Sequence, residues 1–272
     1  MTTANRRRLA LYTAALVVVA ALSALALEAR ARAARDLIGT LQNGGELMVR
    51  VGLHDRAEEY ARRILEMDAD HVGARLLLGC CGQQTGRFDD AIREYEEALK
   101  RTEAPAQRQY LELVLADMHR LKKDYAGARA RLERYRAWGN EGPDLFMVEG
   151  ELHADLGEHA EAAACFRRAA SADPPAEGAS MALAREYFRL GDKPGSLAAL
   201  EAVAAGTRRT HGVWYAIAEL RRDLGDREGA LEALRSALAS EPGATRRRLE
   251  TDREAWGALV CDLGTDPDQT GG

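Results

Sequence analysis

Residues 211–244 read HGVWYAIAELRRDLGDREGALEALRSALASEPGA. Two apolar runs of helical periodicity lie on either side of Gly225, and Pro242 follows the second run. Glycine tolerates the left-handed conformation of a tight turn, and proline stops a helix. The stretch therefore predicts a helical hairpin, in which two helices are joined at Gly225 and the second ends before Pro242.

The same pattern recurs along the chain with a constant period. Gly157, Gly191 and Gly225 are 34 residues apart, and so are Gly52 and Gly86. An insertion of three residues near 102–106 interrupts the period, and Lys123 stands in the place of the next glycine. The chain after residue 37 therefore divides into six units, which are 38–71, 72–105, 109–142, 143–176, 177–210 and 211–244.

Small residues occupy the eighth position of the units, where the two helices of a hairpin would approach each other. They are Gly45, Gly79, Ala116, Gly150, Ala184 and Ala218. Each glycine weakens a helix by about 1 kcal/mol, so we expect the first helix of the first unit, which contains Gly44 and Gly45, to be frayed or bent. Glu149 occupies a position where an apolar residue is usual, and we expect the first helix of the fourth unit to be shifted by one residue.

The sequence resembles the tetratricopeptide repeat family, whose 34-residue units follow a Trp-x2-Leu-Gly-x2-Tyr…Ala-x3-Phe…Pro pattern. Unit 211–244 matches this pattern through Trp214, Ala218, Gly225, Ala230 and Pro242, and unit 72–105 matches it as well. The resemblance implies an all-α fold, a right-handed α-solenoid of about six helical hairpins.

The residues after the last unit predict a cap. A terminal repeat needs an outer helix with one polar face, and residues 246–263 provide an apolar stripe that includes Trp256 and a charged opposite face. The solenoid with its capping helix would thus extend over residues 38–264. Residues 265–272 are polar and aperiodic, and we expect them to form a disordered tail.

The N-terminal region predicts a membrane anchor. Residues 9–27 contain no charged residue and would form a helix of about 28 Å, close to the thickness of the hydrocarbon core of a bilayer. Residues 1–8 form a short basic tail before this transmembrane helix, and residues 28–37 a juxtamembrane linker after it. The alternative is a cleaved signal peptide, although the apolar stretch exceeds the usual length. The basic tail favours a cytoplasmic N-terminus, which would place the repeats outside the cytoplasm at the cell membrane.

Composition and motifs argue against several other functions. The net charge is −5, from 38 basic and 43 acidic residues, so no positive field favours nucleic acid. The four cysteines and six histidines form no metal-ligand spacing, and no nucleotide-binding or nucleophile motif is present. The anchor, repeats and cap together leave no segment for a catalytic domain. We therefore expect a protein without enzymatic activity, catalytic residues, cofactor or metal.

Members of this family usually bind ligands in a concave groove lined by the first helix of each unit. The family's groove positions correspond in this sequence to Leu76, Gln83, Tyr110, Leu113, Arg120, Met147, Met181, Arg185, Phe188, Arg189, Tyr215 and Arg222. Apolar and aromatic side chains interspersed with charges suit an extended peptide or an amphipathic helix. Arg185, Phe188 and Arg189 are the cluster expected to contribute most.

These features predict a membrane-anchored scaffold or adaptor that binds a protein or peptide in its groove. We expect it to act in the assembly of an envelope or membrane complex, and the composition rich in alanine and arginine suggests a bacterial source. Two alternatives remain open: a secreted or periplasmic binding module with a cleaved leader, and a non-catalytic accessory subunit of an enzyme complex.

Overall fold

The computed structural model of the chain describes the backbone of residues 3–139, 141–176, 178–206, 211–241, 243–245, 247 and 256. Side chains are described for these residues except 3–21 and 211. Over these ranges the secondary structure is helical, with no strand. The helices are α1 (Thr3–Arg50), α2 (His54–Met67), α3 (Val72–Gln84), α4 (Phe88–Arg101), α5 (Pro105–Leu121), α6 (Tyr125–Arg136), α7 (Pro143–Asp155), α8 (His159–Ala170), α9 (Ala179–Arg189), α10 (Lys193–Ala205), α11 (His211–Asp223) and α12 (Arg227–Ser240).

Successive helices form the expected hairpins. The end of α1 packs against α2, and the pairs α3 and α4, α7 and α8, α9 and α10, and α11 and α12 pack in the same way. The hairpin bounds agree with the units predicted from the 34-residue period. The insertion near 102–106 lies at the start of α5, which begins at Pro105 and is 17 residues long.

The chain divides into two compact units, residues 1–131 and 132–272, with the division inside α6. In the first unit, one apolar core lies among α1, α2 and α3 around Ile64, and another lies between α4 and α5 around Tyr95. In the second unit, an apolar core extends through α8–α12 around Phe166 and Leu234.

The turn glycines adopt the backbone conformation that the repeat predicts. At Gly52, Gly86, Gly157, Gly191 and Gly225 the φ angle lies between 74° and 82°. Lys123, which replaces the glycine in the third unit, has a φ of 65° and is the only residue other than glycine with positive φ in the part of the chain that the structure describes. The third unit thus keeps the turn geometry although lysine replaces the glycine.

Glycines at the eighth position do allow close helix packing. A Cβ atom added to Gly79 would lie 2.5 Å from Cε1 of Tyr95, and one added to Gly150 would lie 2.6 Å from Cε1 of Phe166. Both aromatic rings belong to the second helix of the same hairpin. The ring of the partner helix therefore fills the space that a side chain at each glycine would occupy, as the small-residue pattern predicted.

Two expectations about individual helices were wrong. Helix α1 is not frayed at Gly44 and Gly45 but continues through both, where Gly44 accommodates the Tyr60 ring of α2 and Gly45 lies against Leu77 of α3. Helix α7 begins at Pro143, in register with its unit, and Glu149 is buried there as one partner of an ion pair with Arg136. In both cases a tertiary contact compensates for the locally unfavourable residue.

The N-terminal predictions are only partly within the described residues. Residues 28–37, expected as a linker, belong to the continuous helix α1 and are mostly exposed. Among the described residues, no helix combines the length and apolarity of a membrane span. Residues 9–21 of the predicted span lie outside the residues with described side chains, as do residues 1–8.

The predicted capping segment, residues 246–263, is described only at residues 247 and 256. Trp256 is fully buried and its ring centroid lies 5.6 Å from that of Tyr215 on α11. The remainder of the predicted cap and the predicted tail 265–272 lie outside the described residues.

Candidate functional site

The residues predicted to line a groove all lie on the first helices of hairpins. In the first unit they lie on α3 and α5, and in the second unit on α7, α9 and α11. Those of the first unit are Leu76, Gln83, Tyr110, Leu113 and Arg120. Those of the second unit are Met147, Met181, Arg185, Phe188, Arg189, Tyr215 and Arg222.

Most of the predicted residues of the first unit are occupied by contacts within the fold. Leu76 packs against the core between α4 and α5, and the amide oxygen of Gln83 accepts a hydrogen bond from the Tyr95 hydroxyl at 3.2 Å. The Arg120 guanidinium, whose side chain is 12% exposed, lies 2.6 Å from Oδ1 of Asp117. Leu113 is half-buried, whereas Tyr110 is 58% exposed. Of these five residues, only Tyr110 offers a largely accessible side chain.

In the second unit, three predicted residues form an exposed patch on α9. Met181, Arg185 and Phe188 are separated by four and three residues, so their side chains project from the same face of the helix. Phe188 is 60% exposed and Met181 is 38% exposed. Arg185 is exposed and forms no ion pair with any described residue. We call Met181, Arg185 and Phe188 the α9 patch.

Arg189, on the same helix, differs from Arg185 in its charge partner. Its Nη1 atom lies 3.0 Å from Oε1 of Glu186, whose side chain is completely buried. The other oxygen of Glu186 lies 2.7 Å from Nδ1 of His159 on α8. The charge of Arg189 is thus partly neutralised within the fold, while Arg185 keeps its full charge for a ligand.

The remaining predicted residues contribute to packing. Met147 is half-buried against the core of the second unit, and Arg222 lies over the Trp256 ring, 4.5 Å from its centroid, with Asp223 at 3.0 Å. Tyr215 is only 1% exposed, because the aromatic ring of Trp256 covers it. Its assignment to a ligand-binding surface is therefore corrected, and Tyr215 belongs to the core.

One exposed apolar residue near the α9 patch was missed by the sequence reasoning. Leu190 directly follows α9 and is 47% exposed. The available signal was its position immediately before the turn glycine Gly191, at the end of the hairpin where α9 and α10 are joined. A helical pattern alone assigns such a leucine to the core.

The described residues offer little chemistry beyond binding. No group of three or more histidine, cysteine or acidic side chains among them is arranged to hold a metal ion. Burial raises the pKa of the Cys80 and Cys165 thiols and raises that of Cys81 to about 11, which keeps these thiols protonated at neutral pH. The vicinal pair Cys80 and Cys81 is thus suited to packing rather than to redox chemistry.

Family models test the repeat assignment directly. Models of the tetratricopeptide repeat match residues 43–107, 82–142, 124–177, 147–210 and 211–243. The chain belongs to the tetratricopeptide repeat family. The matched ranges cover the six predicted units except for residues 38–42 of the first and residue 244 of the last.

Solved structures of the same fold are distant in sequence. A pilF protein of Pseudomonas aeruginosa is 16% identical with a TM-score of 0.61, over 80% of this chain and 99% of that one. The type IV pilus biogenesis factor PilW is 17% identical with a TM-score of 0.62, over 75% and 94% of the two chains. The match to the APC/C hetero-tetramer Cut9-Hcn1 has 18% sequence identity and a TM-score of 0.59. It covers 83% of this chain but only 42% of the matched chain. At 16% to 18% identity these likenesses show the fold alone. No curated protein matches the sequence.

Proposed function

We propose that this tetratricopeptide repeat protein is an adaptor that binds an extended polypeptide through the first helices of its hairpins. The α9 patch carries this proposal, because a largely exposed phenylalanine lies there beside an exposed arginine that forms no ion pair with any described residue. Aromatic and arginine side chains contribute most to protein interfaces, and Met181 adds an adaptable apolar contact. Of the residues predicted from the family's groove positions, those of the α9 patch would contribute most to binding.

We also propose that the chain is held at a membrane, with its repeats outside the cytoplasm. The support is the sequence of residues 9–27, nineteen residues without a charge, preceded by Arg6, Arg7 and Arg8. Tethering would raise the local concentration of a bound polypeptide near membrane partners, which suits a role in assembling a membrane or envelope complex. N-terminal sequencing of the mature protein tests this. Retention of residues 9–27 supports the anchor, and a new N-terminus after them supports a cleaved leader.

The proposed role is non-catalytic. This proposal is supported by the buried carboxylates among the described residues. Glu149 and Glu186 are already engaged in ion pairs with Arg136 and Arg189, respectively. Any activity of a complex that contains this chain would then belong to its partner.

The binding proposal is tested by affinity capture of the full chain from detergent-extracted membranes. We expect Phe188→Ala and Arg185→Glu each to reduce the recovery of specific partners by about tenfold, as the loss of an interface hot spot does. Recovered proteins are quantified against the unsubstituted chain by mass spectrometry.

A matched control separates patch effects from general charge effects. Arg235 on α12 is exposed, lies on a second helix and is not part of the predicted groove, so Arg235→Glu should leave recovery unchanged. Equal recovery by the Phe188, Arg185 and Arg235 variants would refute binding at the α9 patch.

A further inference from the structure

A pocket of about 360 Å³ opens between α10, α11 and α12 in the second unit, on helices that do not carry the α9 patch. Glu201 of α10 and Glu232 of α12 line it from two sides, and Trp214 and Arg221 of α11 lie between them. Alanine side chains of α10 and α12, together with Ser236 of α12, complete the wall. This volume is at the lower end of the range for small-ligand pockets and suits a single side chain.

The positive charge in the pocket is already satisfied by the chain. Arg221 Nη2 lies 2.8 Å from Oε1 of Glu201, and its Nη1 donates to the Gly229 carbonyl oxygen at 3.1 Å. The Arg221 side chain is only 23% exposed. Because these contacts hold the guanidinium in place, it does not need an anionic ligand.

The negative charge, in contrast, exceeds the positive charge that the described residues bring to the pocket. Glu232 is 80% exposed, and the ion-pair contact described for it is Arg221 at 3.9 Å, beyond hydrogen-bond distance. Glu201 is 43% exposed and shares one oxygen with Arg221. Among the described lining residues, two carboxylates against one guanidinium leave a net negative charge and free acceptor atoms. Its chemistry therefore calls for a positively charged donor.

We propose that this pocket binds a basic side chain, arginine or lysine, of a polypeptide partner. The cationic group would pair with the carboxylate oxygens of Glu232 and Glu201 that Arg221 leaves free, and the indole of Trp214, half-buried in the wall, adds a cation–π surface. The aliphatic part of a basic side chain packs well on alanine methyl groups. The pocket is lined by α10, α11 and α12 and by no residue of α9, so this site stands independently of binding at the α9 patch.

The test is NMR of the full chain in detergent micelles, with ¹⁵N-labelled tryptophan. The chain has three tryptophans, Trp138, Trp214 and Trp256, and loss of one indole signal in Trp214→Phe assigns the signal that matters. Titration with the peptide acetyl-Gly-Arg-Gly-amide should shift the Trp214 signal in a saturable way and leave the Trp138 signal in place. Glu232→Gln should weaken the apparent affinity about fivefold, the upper range for one exposed ion pair.

Matched controls make the result specific to this pocket. Glu228 lies one helical turn before Glu232 on α12, is also exposed and does not line the pocket, so Glu228→Gln should bind as the unsubstituted chain does. Both variants replace an exposed carboxylate and should fold normally. The proposal is overturned if the Trp214 signal does not move, if acetyl-Gly-Gln-Gly-amide or acetyl-Gly-Glu-Gly-amide moves it equally, or if Glu232→Gln has no effect.

Discussion

Nδ1 of His159 lies 2.7 Å from Oε2 of Glu186, a carboxylate with no exposed surface. His159 begins α8 and Glu186 lies within α9, so this contact joins the second helix of one hairpin to the first helix of the next. Arg189 approaches the other carboxylate oxygen at 3.0 Å. A buried carboxylate requires such donors because it has lost its contacts with water.

We expect Glu186→Ala to lower the free energy of unfolding by about 2 kcal/mol. The loss stays moderate because His159 and Arg189 are 32% and 44% exposed and can be hydrated once their acceptor is removed. Glu186→Gln keeps one acceptor oxygen and should lower the free energy of unfolding by less. Urea unfolding followed by circular dichroism measures both changes. The control is Glu161→Ala at an exposed position on α8, and an equal loss in that variant would contradict this role for Glu186.

The third hairpin turn offers a stabilising substitution. Lys123 has a φ of 65°, in the left-handed region that costs a residue with a Cβ about 1 kcal/mol. We expect Lys123→Gly to raise the free energy of unfolding by up to about 1 kcal/mol, because glycine adopts this φ without strain. In contrast, Lys122→Gly should lower the melting temperature, since Lys122 has an ordinary right-handed φ of −76°. Thermal melts of the two variants give the comparison, and a lower melting temperature for Lys123→Gly would contradict the prediction.

The fifth hairpin turn depends on a side-chain cap. The Oδ1 atom of Asp192 accepts a hydrogen bond from the backbone N–H of Gly195 at 2.9 Å, and Asp226 caps α12 through Gly229 in the same way. Asp192→Ala should destabilise the chain by about 1 kcal/mol, whereas Asp192→Asn should be nearly neutral because asparagine caps as well as aspartate. Denaturant titration distinguishes them. Equal losses in the two variants would mean that the carboxylate charge, rather than the cap, is what stabilises α10.

The 34-residue period was enough to predict the hairpins, because turn conformation and helix packing both depend on residues at fixed positions. Gly157, Gly191 and Gly225 mark the turns, and Gly79 and Gly150 mark the close contacts. What the period could not predict was how local irregularities are compensated. The glycines of α1 and the buried carboxylate of α7 are tolerated through contacts with other helices, which a single-helix pattern does not contain.

The candidate site was less predictable than the fold for a similar reason. Family positions place a residue on a given side of a helix but do not determine what covers it. Tyr215 and Met181 both occupy the fifth position of their units, yet Tyr215 is buried against Trp256 and Met181 remains 38% exposed. Trp256 lies 41 residues beyond Tyr215 in the sequence, so the repeat pattern carries no information about this contact.

The close approach of α7 and α8 should be sensitive to one methyl group. Gly150→Ala would place a Cβ 2.6 Å from Cε1 of Phe166, whose ring is buried and cannot move away freely. We expect a loss of about 1–3 kcal/mol, the usual cost of overpacking a core. Gly212→Ala is the control, because a Cβ there meets no atom within 4 Å. Thermal unfolding should show a lower midpoint for the Gly150 variant only, and equal midpoints would show that the helices can separate at little cost.

Glu149 should make the stability of the chain depend on pH. Its side chain is 8% exposed, and burial raises the pKa of its carboxyl group above the ordinary value of 4.5, although Arg136 at 2.6 Å opposes the shift. The folded state thus binds this proton more tightly than the unfolded state, so the contribution to stability is present below the ordinary pKa and is lost as pH rises through the folded pKa.

Glu149→Gln removes this titration. The free energy of unfolding of the unsubstituted chain, relative to that of Glu149→Gln, should therefore fall between about pH 4 and pH 7. Urea titrations at both pH values measure the difference, with Glu161→Gln at an exposed site as the control. A constant or rising difference for Glu149→Gln would show that Arg136, rather than burial, determines the protonation of Glu149.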